Sequence, residues 1–539
     1  MKTSVLCWPR DNISYFKLCI AIEIEGETLL YLIPDWHQDT ELEEDRIYTL
    51  SNFFSKQEFE NKLLLTKKMS FLRYKLNEIG YRYDNVISIF DILQNISIKN
   101  GHPISLEDLS FSSELERIYT PNSVSFLKDN VIVAVVYFND FGFVSSVRHH
   151  LPNGDFIEDI YDDRGFISIK RYLDKDGKPS KTAYYNEQRK KTLTQVGEKL
   201  TVEENGSSFL RQKEYDSIDS AIKEILNYFM LEVIESNPHS VVSIITTTEK
   251  ETVFQTKDMP YNGKMIRVLT DDTVQDLGDA KLVTDTKNRR DREIRAKNVI
   301  PIFLPKLTLG TSDAMPLMKI YLKLSTDRVK EEKIFRLNLE RVIKSETISM
   351  VCELDNFERV NLFKAIQKKI INEFFKVNSE SSDYKKVEKY ILAKKEKRLF
   401  TSDIEAIKDV QQSDDWLNYV NAVNANYKIN YIVKPNKKVI DAEFREARVY
   451  LDFEEHYNML RHAKAVSNGI PIISEHRSDF IEYGKNGFYV TRDIKEINIY
   501  LDYFIDSLRN WNEALVYSVG IIEKYEPENI MNKWKEMMN

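Results

Sequence analysis

Three residues, His456, Lys464 and Gly469, sit at a spacing that could hold a sugar nucleotide. A strand-like run at Val449 to Phe453 leads into an acidic loop and a helix. A small turn at Gly469 then opens a second strand at Pro471. In such a pocket the helix N-terminus takes the diphosphate, because its free N–H groups and dipole favour anions. One carboxylate in the loop takes the donor-sugar hydroxyls, and a second, eight residues on, takes the ribose. Counting back from Gly469, these two positions hold His456 and Lys464 instead. A one-residue slip offers Glu455 for the first, and nothing nearby replaces the second. The frame of a donor pocket is present with its carboxylates substituted.

Lys464 has two readings. It pairs a phosphate, or it is a partly exposed helix lysine beside a core face of Met459, Leu460, Ala463 and Val466. The second is the expectation, and His456 reads equally well as a helix-entry residue. Pro34-Asp35-Trp36-His37 follows a strand and reads as a packing corner. His149-His150 reads as surface, and Glu475-His476-Arg477 as a loop. No serine–histidine–acid order or phosphate loop stands out. Neither a metal nor a cofactor is expected.

The elements that position these residues follow from periodicity. From 1 to about 110, and again from about 215 to 305, short apolar strands alternate with helical stretches, an α/β pattern. Between them, glycines recur at Gly142, Gly154, Gly165 and Gly177, each closing an Asp- or Asn-rich turn. Period-two segments such as Phe166 to Tyr172 join them, so an antiparallel meander of hairpins is predicted over 118–200. The acidic turns lack a twelve-residue calcium pattern. Such a sheet suits protein binding and, as an insertion, is expected to be removable. A second α/β domain is predicted over 316–490, with ligands at the strand carboxyl ends. The first domain then comprises 1–117 and 201–315. Helices over 491–539 close the chain by crossing back to it. Their stripe of Leu501, Phe504, Ile505, Leu508, Trp511 and Leu515 predicts one helix over Glu496 to Lys524.

Composition narrows the function further. The 539 residues carry 77 basic and 85 acidic side chains, a net charge of −8. That excludes a general polyanion binder, and no nucleic-acid partner is expected. The three cysteines, Cys7, Cys19 and Cys352, form neither a disulfide framework nor a zinc motif. The early polar Trp8-Pro9-Arg10-Asp11 argues against a signal peptide. The longest clean apolar run, Val131 to Phe138, is too short for a bilayer. A cytoplasmic protein is expected.

Several segments resemble one family across nearly the whole chain. They are Tyr31-Leu32-Ile33-Pro34-Asp35-Trp36, Tyr119-Thr120-Pro121, Asp162-Asp163-Arg164-Gly165-Phe166, Val299 to Phe303 with Leu309-Gly310, Asn468-Gly469-Ile470-Pro471, and Leu501 to Val516. The family is that of the first accessory Sec system protein. The resemblance implies a GT-B-like α/β fold, two Rossmann-like domains with an antiparallel β-sheet insertion in the first. It implies a non-enzymatic role in exporting serine-rich repeat glycoprotein adhesins. The implied partners are the other accessory Sec proteins, the accessory SecA motor ATPase and the adhesin, with peripheral membrane association through the translocase. About thirty residues precede the family's usual start. The competing reading is an active or regulatory GT-B glycosyltransferase subunit that modifies serine-rich adhesins.

Overall fold

A computed structural model describes residues 28–36, 40, 42–236, 241–247, 263–269, 280–286, 298–325, 328–454, 458–490 and 493–538. The chain divides into two units. The first comprises residues 1–285, 289–302 and 530–539, and the second 286–288 and 303–529.

The first unit is built on a seven-stranded sheet. Its strands run Asn298–Val299, Lys281–Thr284, Gly263–Val268, Val241–Thr247, Thr28–Ile33, Asn61–Leu65 and Val86–Ser88 in spatial order. All pairs are parallel. Segments such as TLLYLI and VVSIITT are apolar almost throughout, as strands covered on both faces must be.

The same unit holds a ten-stranded antiparallel sheet whose strands follow one another in chain order from Glu116 to Tyr215. It is therefore wider than the 118–200 expected. Gly142, Gly154, Gly165 and Gly177 all have φ between +78° and +93° and close matching turns. A fifth turn of this form spans Asn186 to Lys190, with Arg189 in the left-handed position at φ +61°. Asp129 and Asn130, both at positive φ, make a two-residue hairpin.

The sheet does not stand apart from the unit. Ile169, Tyr184, Leu193, Leu200 and Tyr215 share a core with Tyr31 and with Ala221, Ile225 and Phe229 of helix Ile218–Ser236. Arg164, in the Asp162–Phe166 turn, fixes the junction. Its guanidinium donates to both oxygens of Asp91 at 2.7 and 3.0 Å, to Asp162, and to the Ile98 carbonyl.

The second unit is a six-stranded parallel sheet. Its order is Ile429–Val433, Ile348–Leu354, Met318–Ser325, Ala447–Glu454, Ile472–Ser474 and Gly487–Tyr489. Numbered along the chain this is 3-2-1-4-5-6. The order reverses between Met318–Ser325 and Ala447–Glu454, and the carboxyl ends there form the usual ligand crevice of a doubly wound sheet.

The predicted single closing helix is two. Helix Glu496–Ile505 ends at Asp506, and helix Leu508–Ile522 restarts with Ser507 as its N-cap, whose hydroxyl accepts from the Asn510 N–H. The break shifts the helical phase. Leu501, Phe504, Ile505 and Trp511 are buried, whereas Leu508 is exposed. Trp511 packs inside the second unit: its indole N–H donates to the Arg448 carbonyl at 3.0 Å and the Arg448 guanidinium lies 3.9 Å from its ring centroid. The last stretch belongs to the first unit, where Trp534 is fully buried with its ring 5.7 Å from that of Phe54. Among the described residues no helix is long and apolar enough to cross a membrane.

Candidate functional site

The second unit gathers charge at its topological switch point. Three apolar strands each carry charge near their carboxyl ends: Lys323 in MKIYLKLS, Glu353 in ISMVCEL, and Asp452 and Glu454 in ARVYLDFE. In a parallel sheet these ends lie side by side. The Lys323 ammonium reaches Glu353 at 3.2 Å, Asp355 at 3.2 Å and Glu454 at 3.3 Å. Arg461, in the first turn of helix Met459–Ser467, turns inward to Glu353 at 3.3 Å. The Tyr321 hydroxyl donates to the same carboxylate. Beside them, the fully buried His462 and Asp452 are joined at 2.6 Å.

The electrostatics follow from burial. Burial, and then the neighbouring Asp452 carboxylate, push Glu454 up to about 7. Burial opposes the charge of Lys323, yet Glu353, Glu454 and Asp355 together hold it above the usual lysine range. A second ring closes around this cluster. Arg359 pairs with Asp355 at 2.7 Å and with Glu331, and Lys330 pairs with Glu475 at 2.5 Å. The cations at the strand ends are thus turned onto carboxylates of the chain itself. Cys352, the nucleophile nearest in sequence, is buried, and burial pushes its thiol well above the usual range.

The residues singled out by the sequence fall differently. His456 and the alternative Glu455 lie outside the described residues. Lys464 pairs with Asp441 of helix Lys437–Glu446 at 2.6 Å, so it ties two helices together. Gly469 is the left-handed residue that ends helix Met459–Ser467, at φ +71°. Its N–H donates to Val466 and that of Ile470 to Ala465, a Schellman ending. A Cβ there would lie 3.0 Å from Leu515, so packing also favours glycine. At the other end of that helix, the Asn458 side chain accepts from the N–H groups of Leu460 and Arg461.

The segment at Leu309-Gly310 is stapled to the same helix end. The N–H groups of Thr308, Gly310 and Thr311 donate to the carbonyls of Ser467, Asn468 and Arg445 at 2.8, 3.1 and 2.7 Å. These carbonyls would otherwise lack partners at the ends of their helices. Glu475-His476-Arg477 is likewise tied down, the His476 ring donating to the Glu454 carbonyl at 2.7 Å. Trp36 is buried, which fits a packing corner, Asp35 pairs with Lys67, and His37 lies outside the described residues. His149 and His150 are partly buried on the ten-stranded sheet, with His149 3.5 Å from Asp159. Among the described residues no group of histidine, cysteine and acidic side chains is placed to hold a metal.

Lys323, Glu353, Asp452, Glu454, Arg461 and His462 were not apparent from motif spacing. The available signal was a charge near the carboxyl end of each of three largely apolar strands.

Comparison with known proteins bears on the whole chain. The family model of accessory Sec system protein 1 matches residues 29–539. A protein of that description from Streptococcus gordonii is 23% identical over 530 residues, covering 94% of this chain and 95% of its own length. A crystal structure of accessory secretory proteins 1, 2 and 3 from Streptococcus pneumoniae contains a similar fold. It superposes with a TM-score of 0.71 at 18% identity, covering 95% of this chain and 99% of that one. The pneumococcal O-GlcNAc transferase GtfA, solved with UDP and GlcNAc, gives a TM-score of 0.63 at 12% identity, covering 95% and 98%. The fold is that of GT-B glycosyltransferases.

Proposed function

Because the chain belongs to the accessory Sec system protein 1 family, we propose that it is a non-catalytic component of the accessory Sec export machinery. In this reading it works in the cytoplasm, in a complex with the other accessory Sec proteins. It helps pass serine-rich repeat glycoprotein adhesins to the accessory SecA motor. It carries no cofactor, and its antiparallel sheet serves as a protein-binding module. His456, Lys464 and Gly469 are the remnant of a donor pocket.

One observation supports the non-catalytic part above the others. At the strand ends where a donor diphosphate would need free cations, Lys323 and Arg461 are already paired with Glu353 and Glu454. A phosphate would have to displace buried carboxylates, leaving charge unpaired at a cost of several kcal/mol. The second reading, an active or regulatory glycosyltransferase subunit, is favoured by the fold shared with the GlcNAc transferase.

Titration calorimetry with UDP-N-acetylglucosamine separates the two. No binding heat is expected at millimolar ligand. Micromolar affinity, or transfer of sugar to a serine-rich peptide, would establish the transferase reading instead. Affinity capture from cytosol should bring down the other accessory Sec proteins, and their absence would refute the adaptor role.

A further inference from the structure

The first unit has a switch point of its own. Numbered along the chain, the seven strands of its parallel sheet lie in the order 3-2-1-4-5-6-7. The order reverses between Thr28–Ile33 and Val241–Thr247, and a doubly wound sheet takes ligands at the carboxyl ends of the strands there. We infer that these ends bind the phosphoryl group of a small soluble ligand through Arg267 and Thr246. The inference stands apart from the reading above, which concerns the strand ends of the second unit and the antiparallel sheet.

Register sets the two residues next to each other. Thr246 is paired with Ile33 on one side and with Arg267 on the other. Residues in register on adjacent parallel strands share a face, with strands about 4.8 Å apart. Tyr31, Ile33, Ile244 and Met265, on that face, share a core with helix Ile218–Ser236. Alternation therefore places Thr246 and Arg267 on the helix-covered face, one step beyond Ile244 and Met265, at the carboxyl rim.

Chemistry selects the ligand. Arg267 is only 7% exposed, and its Nε has no hydrogen-bond partner among the described residues. The Thr246 hydroxyl is likewise buried and unpaired among them. Burial pulls the guanidinium below the usual arginine range, yet an arginine keeps its charge in proteins. The acids that follow neighbouring strands are committed elsewhere, Asp285 to Arg46 at 3.2 Å and Asp35 to Lys67. A buried cation without a counter-charge is strongly destabilising, and a bound anion would supply one. An unpaired Nε leaves the side-on fork of the guanidinium open to two oxygens. A carboxylate has only those two, whereas a phosphoryl group offers a third to the Thr246 hydroxyl. This reverses the second unit, where Lys323 and Arg461 are already neutralised by Glu353.

The test uses the full chain with glycerol 3-phosphate and inorganic phosphate as probes, read by calorimetry and phosphorus NMR. Succinate and phosphatidylglycerol vesicles form the other arms. At least one phosphate should bind at low millimolar concentration, and succinate more weakly. Arg267→Met should weaken phosphate binding by roughly ten- to a hundredfold, the fold-change of lost charge-assisted hydrogen bonds. Thr246→Val should weaken it by roughly two- to tenfold, the fold-change of one neutral hydrogen bond. Without ligand, Arg267→Met should melt no lower than the parent, because it removes an unpaired buried charge. Absence of binding by both phosphates overturns the inference, as does binding unchanged in either variant. Tighter binding of succinate, or a response to the vesicles alone, overturns it in favour of a carboxylate ligand or a membrane surface. A lower melting temperature for ligand-free Arg267→Met also overturns it, since the arginine would then be structural.

Discussion

At the scale of single residues, the second unit is governed by buried charges that compensate one another. Burying a lone lysine or carboxylate costs several kcal/mol, and pairing recovers much of that. Glu353 is the hub, since Lys323, Arg461 and Tyr321 all converge on it. Glu353→Ala should therefore destabilise the protein by about 3–5 kcal/mol in urea unfolding, because two buried cations lose their shared partner. Glu454 behaves in the opposite way. Its folded-state value of about 7 lies above the ordinary 4.5, so the native state holds this proton more tightly than the unfolded chain. The associated stability is present in full below pH 4.5 and is lost as pH rises through 7. Glu454→Gln should thus stabilise the protein at pH 8 relative to the parent by up to about 3 kcal/mol, seen as a higher melting temperature, and change little near pH 4.5. A parent and variant that keep the same difference at both pH values would refute this. These roles were not read from the sequence, because a charge ending a strand gains meaning only from the neighbouring strands.

At the scale of elements, caps and turns carry most of the local specification. The hairpin turns at Gly142, Gly154, Gly165 and Gly177 were readable, since glycine populates the left-handed region at little cost. The turn at Arg189 was not, because the sheet on either side imposes its conformation. Gly469 is the left-handed ending of helix Met459–Ser467. Gly469→Ala should cost about 1–2 kcal/mol from the left-handed backbone alone, and crowding by Leu515 adds to it. Trp511 was read as a brace to the first domain, yet its contacts with Arg448 lie within the second unit. Trp511→Ala should cost about 3–5 kcal/mol there, seen as a lower melting temperature.

At the scale of the whole molecule, the chain leaves the first unit after Ile302 and returns to it at Ile530. Trp534, in helix Pro527–Met538, is fully buried in that first unit. Truncation after Asn529 should destabilise the first unit although it lies far along the chain, and Trp534→Ala should reproduce about 3–5 kcal/mol of the loss. Equal melting curves for parent and truncation would contradict this. The ten-stranded sheet shares a core with helix Ile218–Ser236 and anchors Arg164 on Asp91. Removing 118–200 should therefore expose that core and leave an aggregating remainder, contrary to the separable insertion that the turn spacing suggested.

By itself the sequence determined what local chemistry controls: alternating strands and helices, and a meander punctuated by glycine. Each depends on periodicity or on the conformational range of one residue. Only the tertiary structure decided what long-range contact controls. It brought the ends of three distant strands together around Lys323, Glu353 and Glu454, and it turned Arg461 inward onto them. It made Gly469 a cap and Lys464 a link between helices. The physical reason is that a side chain's charge, burial and partner are set by residues far away in the chain, and no spacing along one segment records them.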